Sequence, residues 1–234
     1  MGLIHFANLD LNKGTADINE NTTQYKWLKH DLEKIDRSIT PWVILTSHFP
    51  LYHDGVAANS EASAAWYTGE ESEKYSTSGH SFLAKRCEAE TGLCEQSVGE
   101  YQESIQSILD PLLHEYKVDV WNSGHVHDYS SNWPICYNKT SKASDVCLDD
   151  AGAPIKSFLR PKGTVHVTDG NGGVPGVVGT YGVSNTSCTQ KWCRAHGTGG
   201  AYGRWITSDA KTLRYEHVQN ADGNVSDSWE IHRA

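Results

Sequence analysis

The chain has 234 residues, 38% of them hydrophobic, and a formal charge of −9 from 29 acidic against 20 basic residues. That is enough apolar material for one sizeable core. The acidic balance, without any Lys/Arg run, argues against nucleic acid as a partner, and no stretch approaches the ~18 apolar residues of a membrane span.

In chain order, Leu3 to Leu11 alternates partly and reads as a strand. Asn21-Thr22-Thr23-Gln24 resembles a helix start with Gln24 in capping-box position, and Tyr25, Leu28, Leu32 and Ile35 follow at helical spacing. Trp42 to Thr46 is a short unbroken apolar run of the kind buried in parallel sheets, ending at Ser47-His48-Phe49-Pro50. From Gly55 to about Ser97 the chain is rich in Ser, Ala, Glu and Gly, too long for an ordinary connection, and reads as a surface insertion rather than a lid over a pocket. A second helical stretch carries Ile105, Ile108, Leu109, Leu112, Leu113 and Tyr116 on one face. Pro111 is expected to kink it or to start a new helix with Asp110 as cap.

Val118 to Asn122 gives a further buried strand, followed directly by Gly124-His125-Val126-His127. Thr164 to Thr168 is another, closed by the turn Asp169-Gly170-Asn171-Gly172-Gly173. Strands separated by helices predict an α/β domain with a largely parallel sheet. Beyond Thr198, the runs Tyr202 to Ile206 and Leu213 to Gln219, the turn Asp222-Gly223, and Trp229 to His232 read as a short antiparallel β tail.

Six cysteines fall into three sequence-near pairs, Cys87/Cys94, Cys136/Cys147 and Cys188/Cys193. The spacing suits three local disulfides, although six cysteines formally allow about 15 connectivities. None makes a C-x-x-C zinc pattern. N-x-S/T sequons stand at Asn21, Asn138, Asn185 and Asn224, and both features point to a secreted glycoprotein. Met1 is followed by no signal peptide, so one is expected to precede this sequence.

Ligands of open α/β sheets bind beyond the carboxyl ends of the strands. His48 directly follows one predicted strand, and His125 and His127 follow another. If the two strands are neighbours, three imidazoles meet at one place, which points to metal-assisted hydrolysis.

The order Gln24-Tyr25-Lys26-Trp27-Leu28, Thr40-Pro41-Trp42-Val43, His48-Phe49-Pro50-Leu51-Tyr52 and Gly124-His125-Val126-His127-Asp128-Tyr129 resembles the second half of a purple acid phosphatase, a calcineurin-like metallophosphoesterase. The similarity continues through Asp169 to Gly173, Tyr202-Gly203-Arg204 and Asp227-Ser228-Trp229. It implies half of that family's β-sandwich flanked by helices. Residues 1–197 would belong to the phosphoesterase domain, with insertion 55–97, and residues 198–234 would form the carboxyl-terminal segment.

Carried over, the resemblance makes His48 and His125 ligands of a divalent metal (Zn, Fe or Mn) and His127 a ligand of Fe(III). The pair of ions would hydrolyse small phosphate monoesters in a secreted, vacuolar or lysosomal setting. His53 and His80 could by the same resemblance donate a proton to the leaving group, but they fall in no motif and read as solvent-facing loop histidines. The family's Asp, Gly-Asp-x-x-Tyr and Gly-Asn-His-Glu motifs, which supply further ligands, do not occur here, so only part of the site is expected and little activity from these residues alone. The loop reads Asp128-Tyr129-Ser130-Ser131 where many relatives have an arginine after the tyrosine. A non-catalytic secreted glycoprotein on the same scaffold is the alternative.

Overall fold

A computed structural model describes residues 2–11, 18–53, 98–147, 157–159, 161–173, 182–184, 188, 190–207 and 209–233. The 55–97 insertion, His80 and the Cys87/Cys94 pair lie outside them. Four parallel strands run side by side: β1 (Ile4–Leu9), β2 (Trp42–Ser47), β3 (Val120–Ser123) and, further along the chain, β8 (Val165–Asp169). β4 (Tyr129–Asn132) pairs antiparallel with β8, and β10 (Cys193–Thr198) and β9 (Gly182–Ser184) complete a seven-stranded mixed sheet in the order β1-β2-β3-β8-β4-β10-β9.

Successive residues of β2 face opposite sides of this sheet, which is why the run reads as unbroken apolar. Val43 and Leu45 join a core with Leu28 and Leu32 of α1 (Thr23–Glu33) and Ile105, Leu109, Leu112 and Leu113 of α2 (Val98–Glu115). Trp42 and Ile44 join a second core on the other face. That core is shared with a four-stranded sheet of β11 (Ala201–Ile206), β12 (Thr212–Gln219), β13 (Val225–His232) and β7 (Ser157–Leu159). The residues expected as an antiparallel tail therefore do pair antiparallel, and their Leu213, Tyr215, Trp229 and Ile231 are core side chains.

Two local expectations are corrected. The helix cap is Thr22, whose hydroxyl accepts from the Tyr25 amide, while the Gln24 side chain turns away from the helix to bond the backbone of Asp10 at 2.8 and 2.9 Å. Pro111 starts no new helix: it lies inside α2 (Val98–Glu115). The polar sequence after Tyr129 holds the hairpin of β5 (Ile135–Asn138) and β6 (Ala143–Val146), beside the disulfide Cys136–Cys147; Cys188–Cys193 is the second disulfide. Among the described residues, no helix is long and apolar enough to cross a membrane.

The junctions are fixed by charge. Arg37 donates to the carbonyls of Pro41 and Tyr116 at 2.8 and 3.0 Å and to Asp119 at 2.7 Å, and the same carboxylate accepts the Val43 amide at 2.8 Å. One side chain thus sets the register of β2 against the α2–β3 turn. Among the described residues β1 has no neighbour on its outer side, and Phe6 is 55% exposed there.

Candidate metal-binding site

β2 and β3 are adjacent and in register, Ser47 opposite Ser123, so the loops that leave their carboxyl ends start side by side. The Gly124 amide donates to the His48 carbonyl at 3.1 Å, which ties the two loops before either histidine side chain is placed. His125 takes a left-handed conformation, φ 65°, costly for a residue with a Cβ by about 1–2 kcal/mol. The result is that His125 Nδ1 lies 3.0 Å from His48 Nε2. The His125 ring also packs on Phe49, centroids 4.0 Å apart. Burial, then the charges of His48, His127 and His53, hold His125 down at about 4, so near neutral pH it is an uncharged imidazole, the form that binds a metal.

The third carried-over residue behaves differently. His127 is exposed, and it does not complete a three-donor cluster with the other two. The cluster that does form among the described residues is His53, Asp128 and His196. Asp128 is fully buried, with His53 Nε2 donating to one carboxylate oxygen at 2.7 Å and His196 Nε2 to the other at 2.8 Å. Burial alone would raise the Asp128 carboxyl, but the charge of His53 and the hydrogen bonds from both histidines outweigh it and hold the group well below the ordinary range. His53 is therefore not a solvent-facing loop histidine: it is 1% exposed.

Beneath the histidine loop, the glycine-rich turn after β8 comes so close that a Cβ on Gly170 would overlap the Val126 carbonyl, and the Gly170 amide donates to the Asp128 carbonyl at 3.1 Å. Tyr129, the next residue, passes its hydroxyl to Asp227 of β13 at 2.7 Å and stacks on His217, centroids 3.9 Å apart. Arg194 of β10 pairs with the same Asp227 and donates to Ser131 Oγ at 3.1 Å. An arginine thus reaches the strand after the loop from β10, although the strand itself lacks one.

The fit of metal ions follows from these donors. Two imidazole nitrogens 3.0 Å apart are close to the spacing of neighbouring ligands around a zinc-like ion with bonds of about 2.0–2.1 Å, so His48 and His125 fit a divalent metal. A ferric ion needs hard oxygen ligands. Of the groups beside His127, Asp128 turns its oxygens to His53 and His196, and Tyr129 is kept protonated by burial and by the neighbouring Asp227. The described residues do not fit the iron.

No protein-family model matches the chain. It is 28% identical over 219 residues to a nucleotide pyrophosphatase/phosphodiesterase of Hordeum vulgare, covering 93% of this chain and 45% of that protein. Against purple acid phosphatase 23 of Arabidopsis thaliana it is 30% identical over 172 residues, 74% of this chain and 24% of the relative. Against probable inactive purple acid phosphatase 27 of the same plant it is 28% identical over 217 residues, 93% and 27%. A purple acid phosphatase from yellow lupin (Lupinus luteus) seeds shares the fold at a TM-score of 0.60 and 22% identity over 99% of this chain and 31% of that one. The chain spans less than half the length of these curated relatives. By motif, sequence and fold together it is a relative of the purple acid phosphatases, consistent with the carboxyl-terminal half, a family whose metal centre is dinuclear.

Proposed function

We propose that this chain contributes the histidine side of a phosphate-monoesterase centre, with His48 and His125 holding a divalent metal and His127 beside them. The observation that carries this reading is the 3.0 Å approach of His48 Nε2 to His125 Nδ1 at the ends of adjacent parallel strands. A divalent ion bound there would polarise a phosphoryl oxygen and acidify a water. The protein's own part is to hold two imidazoles in place, through the Gly124–His48 backbone bond and the Gly170 buttress. A second ion, the iron of the family's pair, would need oxygen ligands other than the residues described. In this reading residues 1–197 form part of the phosphoesterase domain and 198–234 its carboxyl-terminal segment, in a secreted or vacuolar glycoprotein.

A second reading has a specific observation behind it. The described residues place no unengaged carboxylate among His48, His125 and His127, and some relatives are named as probable inactive phosphatases. The polypeptide would then be a metal-binding scaffold without turnover. Measuring hydrolysis of a chromogenic phosphate ester across added Zn(II), Mn(II) and Fe(III), for the wild type and His48→Gln/His125→Gln, separates the two. Weak, metal-dependent turnover lost in the double variant supports the first; metal uptake with no turnover supports the second.

A further inference from the structure

We propose that His53, Asp128 and His196 form a second, separate site for a first-row divalent cation of the zinc class. This inference does not rest on the function proposed for His48 and His125. Its starting point is convergence: one ligand atom from each residue, two imidazole nitrogens and a carboxylate oxygen, all lie within 4.8 Å of one another. The three come from different parts of the chain, the segment after β2, the histidine loop after β3, and β10. No local sequence preference brings them together; the tertiary fold does.

Each is held by contacts that do not involve the donor atoms. The His53 carbonyl accepts from Trp192 Nε1 at 3.3 Å, the Asp128 carbonyl accepts from the Gly170 amide at 3.1 Å, and His196 sits in the β10 ladder opposite Ser130 and Ser184. The site is also dry, with side-chain exposures of 0% for His53, 0% for Asp128 and 9% for His196. A carboxylate with both oxygens out of water is costly unless a positive charge answers it. The two imidazoles answer it with hydrogen bonds, and a divalent cation would add two positive charges.

The donor set selects the ion. Two imidazoles and one carboxylate leave a fourth tetrahedral position for water or a substrate oxygen, the pattern of open zinc sites. Mg(II) and Ca(II), which take oxygen ligands, are disfavoured. Loading requires each Nε2 to give up the proton it directs at Asp128, to Nδ1 or to solvent, and to turn the freed lone pair to the ion; no bond to carbon, oxygen or phosphorus changes and no electron moves.

The test uses the full chain, with Co(II) as the probe, read by ligand-field absorption and calorimetry. The wild type should take up one Co(II) with a tetrahedral spectrum at the triad. His53→Gln and His196→Gln, which keep a hydrogen-bond donor toward Asp128, should weaken that ion by roughly 100-fold or more, beyond the 10–100-fold of losing an outer partner. His48→Gln/His125→Gln should leave it in place. The proposal is overturned if the His53 and His196 variants bind Co(II) as the wild type does, or if the His48/His125 double variant removes all uptake, an outcome that leaves the first site standing. No uptake by the wild type overturns it as well. Imidazole 15N NMR with Zn(II) gives a readout free of mutation: coordination shifts at Nε2 of His53 and His196 support the site, and persistent Nε2–H protons at saturating Zn(II) overturn it.

Discussion

The Tyr129 hydroxyl donates a hydrogen bond to Asp227 at 2.7 Å across the space between the two sheets. Arg194, 1% exposed, pairs with the same carboxylate. Removing the negative charge leaves a buried guanidinium uncompensated, a loss that typically costs about 3–5 kcal/mol. Asp227→Asn, which keeps the shape, should therefore lower the urea-unfolding free energy by about that amount; a change below about 1 kcal/mol would mean the pair is solvated.

Gly170 faces the Val126 carbonyl at a distance that leaves no room for a Cβ. Gly170→Ala should push the histidine loop outward and cost about 1–3 kcal/mol as an overpacked substitution. Gly2→Ala, which meets nothing within 4 Å, serves as the neutral control. Thermal unfolding of the two variants checks the contrast.

The Asp110 carboxyl is pushed up to about 6 from 3.8 by burial, against hydrogen bonds from Ser144 and Tyr52 that lower it. The folded form thus holds its proton more tightly than the unfolded chain. The sign follows: this contribution is fully present below about pH 4 and is lost as pH rises through about 6. A shift near two units corresponds to roughly 3 kcal/mol at most. The unfolding free energy of the wild type minus that of Asp110→Asn, measured from pH 4 to pH 7, should fall by about that much; a flat difference contradicts it.

At the start of α1, Thr22→Ala should cost about 1 kcal/mol for the lost cap. Gln24→Ala should cost its Asp10 bonds alone, independent of Thr22. The two side chains share no partner, so additivity in a double-mutant cycle is the expected result.

How much of this was legible depends on what each element buries. β2, β3 and β8 carry Val, Ile, Leu and Trp on one or both faces, so their positions, and hence the loops bearing His48 and His125, could be read from the chain. β10 could not: its buried side chains include Arg194 and His196, and a strand whose inward residues are polar shows no apolar period. For that reason His196 gave no signal, and Asp128, though inside the quoted motif, offered none without its two partners. His53 was misread because nothing local reveals that a carboxylate 75 positions away closes over it.

The Tyr129–Asp227 bond spans 98 positions in the sequence, and Arg194 joins it from between. Long-range closures of this kind form late, because much chain must be ordered before they reward it. During synthesis, the histidine loop therefore emerges well before its anchor does. Until Asp227 is available, Tyr129 at the far end of that loop lacks its hydrogen-bond partner, and any ion met earlier meets a loop anchored at one end only.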